Sequence, residues 1–165
     1  CRILRLMNDI FFKTRKEIEN LGFNVVDYDF DRPWGGFFLI DESQSKKFIS
    51  KFISKDDLKI KNKVRSKILI VNPNSRLSWQ YHYRRKEIWK VIKNDVGIIR
   101  SMDDYETGMK IFNEGDMIEF NIEERHRLVG LSDHGIIAEI WIHVDPKNPS
   151  DENDIVRLKD DYSRA

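Results

Sequence analysis

Four side chains able to hold a divalent metal stand at Gln80, His82, Glu87 and His126. Gln80 and His82 are two apart, so an extended strand points both to one face and sends Tyr81 and Tyr83 to the other. Glu87 follows the basic tripeptide Arg84-Arg85-Lys86 and heads a second apolar run, Glu87-Ile-Trp-Lys-Val-Ile; His126 opens a later one, His126-Arg-Leu-Val. One amide oxygen, one carboxylate and two imidazoles form a mixed oxygen/nitrogen set of the kind that holds a first-row metal with open positions. The bland alternative is two ordinary strand histidines with Gln80 and Glu87 on a wet face. Either histidine alone fits that alternative; all four at this spacing favour the metal. His134, beside Gly135, reads as a turn residue and His143 as surface.

A second set is cationic: Lys67, Arg84, Arg85, Arg127, Arg157 and Arg164. The planar guanidinium fork matches phosphate geometry. Surface solubility accounts for Arg84, Arg85 and most lysines. Arg157 and Arg164 lie in a tail with little else to do.

These groups need a scaffold that brings distant segments together. Ile10, Phe11, Thr14, Ile18 and Leu21 make one stripe of a helix over 7–21, with Asp9 as its cap and Gly22 as its stop. Phe23–Phe30 alternates like a strand, and the turn-rich Asp31-Arg-Pro-Trp-Gly-Gly36 leads to Phe37–Ile40. Residues 41–66 are lysine-rich, with Phe48, Phe52 and Ile53 at helical spacing, and read as a short helix and loop over the main body. From Lys67 on, short strands follow at 67–71, 77–83, 87–93, 96–100, 109–112, 116–120, 126–131 and 136–144. Turn residues separate them, which favours a sandwich or barrel over βαβ units. Barrel closure would set the 80–93 hairpin beside a later strand and gather the four ligands inside. Asn153–Asp160 suits a short terminal helix.

Composition narrows the function classes. Twenty-nine basic against 28 acidic residues leave a net charge of +1, so no field draws the chain to nucleic acid or membrane. No apolar run approaches the ~20 residues that cross a bilayer. The single cysteine, Cys1, excludes an intrachain disulfide and a cysteine zinc site, as expected for a cytoplasmic protein. Residues 1–6 read as lying upstream of a natural start at Met7, or as a fragment edge.

Four stretches resemble the cupin domain of type II mannose-6-phosphate isomerases, the family often fused to a mannose-1-phosphate guanylyltransferase. They are Arg32-Pro33-Trp34-Gly35; Leu77-Ser78-x-Gln80-x-His82 with Arg85-x-Glu87-x-Trp89; Gly115-Asp116 leading to His126-Arg127-Leu128; and Asp154-Ile155-Val156-Arg157-x-x-Asp160-x-Tyr162-x-Arg164. The resemblance covers Arg32 to Arg164. It implies an all-β double-stranded β-helix (cupin, jelly-roll-like) barrel with an N-terminal helix and small flanking helices. Residues 1–31 would form an appendage of helix and strand, and 32–165 the barrel with its tail. It further implies one divalent ion, zinc (Zn) or else Co, Mn, Ni or Fe, on Gln80, His82, Glu87 and His126. Lys67, Arg157 and Arg164 would serve the sugar phosphate. The implied reaction interconverts mannose 6-phosphate and fructose 6-phosphate through a cis-enediol, within carbohydrate metabolism such as polysaccharide biosynthesis, in a homodimer.

The chain departs from the family pattern at several places. Arg84 stands where a second histidine is usual, so it must turn outward or meet a carboxylate. Ile88 replaces a histidine. Asn74 and Asn94 replace turn glycines, which suits positive φ. Asn121-Ile-Glu123 replaces a Pro-x-Gly turn and demands a different loop. No guanylyltransferase half is present in residues 1–66. The alternatives to an isomerase are a non-catalytic cupin that binds a sugar phosphate or nucleotide sugar, and another cupin enzyme, an epimerase or an oxygenase.

Overall fold

The computed structural model describes residues 2–53 and 64–163, with side chains from Asp9 onward. Helix α1 spans Arg2–Asn20 and buries Phe11, Thr14 and Ile18. It starts before the expected Met7, so Asp9 lies within it and caps nothing. Gly22, at φ 88°, stops it as expected. Short helical turns over Glu42–Gln44, Ser45–Phe48 and Ile49–Ile53 carry Phe48, Phe52 and Ile53 inward. The loop expected beyond them falls partly outside the described residues.

Eleven strands among the described residues form two antiparallel sheets. They are β1 (Val25–Arg32), β2 (Gly35–Ile40), β3 (Arg65–Val71), β4 (Trp79–Tyr81), β5 (Arg85–Lys93), β6 (Val96–Ser101), β7 (Lys110–Phe112), β8 (Met117–Phe120), β9 (Arg125–Gly130), β10 (Gly135–His143) and β11 (Val156–Lys159). One sheet runs β1-β2-β3-β10-β5-β8 and the other β11-β4-β9-β6-β7. Together they make the all-β barrel expected of the chain. The tail is a correction: Val156–Lys159 is a strand, not a helix. It pairs with β4, placing Val156 opposite Tyr81 and Arg157 opposite Gln80, and that ladder satisfies backbone groups a helix would have left to water.

The six-stranded sheet buries side chains on both faces, and the two-residue period sorts them. Phe38, Ile68, Ile70, Ile88, Ala138 and Ile140 pack outward against α1 and the helical turns. Phe37, Leu69, Val71, Trp89, Val91 and Ile137 point into the barrel. Lys67, Glu87, Glu139 and Trp141 share the inward parity.

The Arg32–Gly35 turn between β1 and β2 closes against β3. Gly35 has φ 144°, and a Cβ there would stand 1.9 Å from the Ile70 carbonyl oxygen, so only glycine lets this turn sit down. Asn74 and Asn94 adopt φ 55° and 59°, as expected of residues replacing turn glycines. The replaced loop turns instead on Glu123, at φ 60°, whose amide donates to the His82 carbonyl at 2.8 Å. No described helix is long and apolar enough to cross a membrane.

Candidate metal centre

His82 leaves the end of β4, His126 lies on β9 and Glu87 on β5, so the two sheets meet at this point. Ligand-capable atoms of the three residues all lie within 4.8 Å of one another, and all three are buried. Each histidine is oriented by its far nitrogen. His82 Nδ1 donates to the Asp154 carbonyl at 2.7 Å and His126 Nδ1 to the Glu124 carbonyl at 2.9 Å; a carbonyl only accepts, so the tautomer follows. Both Nε2 atoms therefore turn toward Glu87, at 3.4 Å from Oε1 for His82 and 3.3 Å from Oε2 for His126. Glu87 Oε2 and His126 Nε2 are buried with no hydrogen-bond partner.

Two orphaned acceptors facing each other are costly unless a Lewis acid joins them. The residues present thus fit a divalent cation. Burial lowers the His82 ring to about 3, keeping it neutral and its lone pair available. Burial alone would raise Glu87, but Arg85 and the two rings hold it well below the ordinary carboxylate value.

Gln80 lies opposite His126 across the β4–β9 pair, and its side-chain oxygen accepts from Ser78 Oγ at 2.6 Å. It lines a cavity of about 80 Å³ with Glu87, Arg85, Glu139, Lys67 and Arg157. Of the residues expected from sequence, Lys67, Gln80, Glu87 and Arg157 line this cavity; His82 and His126 lie against Glu87, and Arg164 lies outside the described residues. Lys67 is buried between the rings of Phe37 and Trp141, with Nζ 4.4 Å from each centroid, and donates to Glu152 Oε1 at 2.6 Å. Arg127 instead binds the Leu77 carbonyl and Glu106, a structural role.

Arg84 turns away from the centre. Its guanidinium donates to the Pro149 carbonyl at 2.6 Å and to Asp151 at 3.1 Å, so the cation in the histidine's usual place is met by a carboxylate. Arg85 is a correction, because it is 5% exposed rather than on the surface. Its Nε donates to Glu87 Oε1 at 2.8 Å, and its guanidinium carbon stands 3.5 Å from the Trp141 ring centroid. Glu139 is a site residue that sequence reasoning misses. It faces Lys67 across β3 and Trp89 across β5, and its two oxygens accept from the indoles of Trp89 at 2.8 Å and Trp141 at 2.7 Å. Burial first, then the charge of Glu87, push its carboxyl up to about 7. A local signal exists: a lone acid inside the apolar run Ile136-Ile-Ala-Glu-Ile-Trp-Ile142 must find partners or stay neutral.

A family model described as mannose-6-phosphate isomerase C-terminal matches residues 50–160. Among solved structures, the fold is similar to vicilin from tomato, Solanum lycopersicum, at 18% identity over 74% of this chain and 32% of that one, with a TM-score of 0.51. It is also similar to oxalate decarboxylase from Bacillus subtilis at pH 4.6, at 14% identity over 76% and 28%, TM-score 0.54. A third likeness is to the formate complex of Lactobacillus farciminis oxalate decarboxylase, at 12% identity over 77% and 32%, TM-score 0.54. The chain spans about a third of the length of these structures, and at such identities the likeness is one of fold. No curated protein sequence matches the chain.

Proposed function

The chain belongs to the mannose-6-phosphate isomerase C-terminal family, and on that footing we propose that it is a metal-dependent isomerase converting mannose 6-phosphate to fructose 6-phosphate through a cis-enediol. The observation that carries this reading is the buried cluster of His82, Glu87 and His126, whose Glu87 also lines a pocket with the carboxyl of Glu139 and the cations Lys67, Arg85 and Arg157. His82, Glu87 and His126 would hold the ion, with Gln80 as a further oxygen donor. When bound, a divalent ion supplies Lewis acidity to a sugar carbonyl and to the negative charge that develops on it.

The chain's own groups do the rest. Glu139, with a carboxyl near 7, is populated in both forms at neutrality, which suits a group that takes a proton from one sugar carbon and returns it to the next. The two indoles fix its direction. Lys67 and Arg157 anchor the phosphate, with Arg164 joining them by the resemblance. Binding at the phosphate, remote from the reacting carbons, is spent on orientation. Trp34, Phe37 and Trp141 wall the pocket and limit water.

The test is a coupled assay on mannose 6-phosphate with chelator-treated protein, before and after a divalent ion is restored. Turnover that disappears with the chelator and returns with the ion supports the isomerase. Stoichiometric metal with no turnover would make the chain a binding cupin instead.

A further inference from the structure

Arg85 occupies an unusual place for a cation. Its Nε donates to Glu87 Oε1 at 2.8 Å and its Nη2 lies 3.2 Å from His82 Nε2. His82 Nδ1 already donates to the Asp154 carbonyl, and a guanidinium can only donate, so Nε2 presents its lone pair to Arg85. That lone pair can be given to a guanidinium or to a metal, not to both. The centre is therefore divided. His82 Nε2 and Glu87 Oε1 are engaged by Arg85, while His126 Nε2 and Glu87 Oε2 have no hydrogen-bond partner.

We propose that Arg85 is an internal cation that competes with the metal for His82 and Glu87, so that loading the centre requires its guanidinium to withdraw. The inference rests on the metal-binding half of the function proposed above and not on turnover. The far side of the fork is separately held: Nη1 donates to Ser150 Oγ at 2.9 Å and to the Asp151 carbonyl at 3.2 Å, with Trp141 beneath the plane. Withdrawal is thus a pivot about Nη1 along the indole face, and the ordered fork need not leave the pocket. In the metal-free protein Arg85 neutralises Glu87, which would otherwise be a buried charge without a counter-ion.

The sign of one substitution separates this role from ordinary support. A partner that merely orients a metal ligand strengthens binding, and its removal weakens affinity by roughly 10–100-fold. A competitor does the reverse. Metal-free wild type and Arg85→Gln are titrated with zinc by calorimetry, with tryptophan fluorescence as a parallel readout. The expected result is zinc binding tighter in Arg85→Gln by on the order of 10- to 100-fold, the strength of a charge-assisted hydrogen bond given up. Equal or weaker binding by the variant overturns the competition and leaves the metal centre standing. Absence of zinc binding in both proteins overturns the centre and the competition together. If Arg85→Gln does not fold, Arg85→Lys serves: it keeps the charge but lacks the fork that spans both ligands, and tighter binding than wild type is again required.

Discussion

The inner and outer faces of the six-stranded sheet come from the same strands, one residue apart, and they are stabilised by different physics. Outward, Phe38, Ile68, Ile70 and Ile140 meet Phe11, Phe23 and Phe48 in a dry layer under α1, where burial is favourable without any partner being specified. Inward, Lys67, Arg85, Glu87 and Glu139 are also buried, but each is held only because a named group answers it. Such polar burial contributes little net stability and is strongly damaging when one partner is removed. The outer layer holds the barrel together; the inner face uses some of that stability to keep charged groups buried.

The sharpest test of this division takes residues from each side. His82→Ala and His126→Ala should each abolish metal retention, a loss beyond the roughly 10–100-fold seen when only an outer partner goes, while circular dichroism still reports a folded barrel. Full metal occupancy in either variant would remove that residue from the centre. Phe38→Ala should do the opposite, lowering unfolding free energy by about 3–5 kcal/mol with zinc affinity of the folded protein unchanged. A large change in affinity would mean that the two faces are coupled through the sheet.

Acidity sharpens the comparison within the inner face. His82 titrates at about 3 when folded, against 6.5 ordinarily; between these values the unfolded chain binds the extra proton, so stability is full above 6.5 and falls as pH drops. Glu139 titrates at about 7 against 4.5, so the folded state holds the extra proton and the stability present below 4.5 is lost as pH rises toward 7. The two slopes oppose between 4.5 and 6.5, and each approaches ~1.4 kcal/mol per pH unit at most. Urea unfolding of metal-free wild type should therefore lose less stability on acidification across that window than it would without Glu139, with His134 and His143, both also lowered by burial, adding to the His82 side. Glu139→Gln should lose stability on acidification through it; a flat profile in the variant would mean that His82 and Glu139 do not oppose each other. Smallest is Arg157→Ala, expected to lower kcat/KM for mannose 6-phosphate about tenfold, about one charge-assisted contact, mainly through a raised KM with some loss of kcat. Unchanged kinetics would place the phosphate elsewhere.

The barrel strands are legible because alternation and turn residues are local signals, and Asn74 and Asn94 announce their positive φ directly. The three metal-competent residues are legible because imidazoles are scarce in this chain, His82 shares a strand face with Gln80, and Glu87 heads an apolar run. Arg85 is not. In the string it belongs to a basic tripeptide, and nothing local shows that β5 begins at that residue and turns it inward while Arg84 turns out. The tail misleads in the same way, since Asn153–Asp160 has helical composition but faces the open edge of β4, where a strand satisfies more hydrogen bonds.

The sequence by itself determined the run of β-strands, the N-terminal helix and the identities of the metal-competent side chains, because these follow from periodicity and residue type; the choice of a barrel over a sandwich came with the family resemblance. Only the tertiary structure decided that Arg85 stands against two of those side chains and that Glu139 sits between two indoles with its carboxyl raised. Both depend on pairing β5 with β10 and β10 with β3, contacts between residues far apart in the chain, and on the loss of water that follows when the two sheets close.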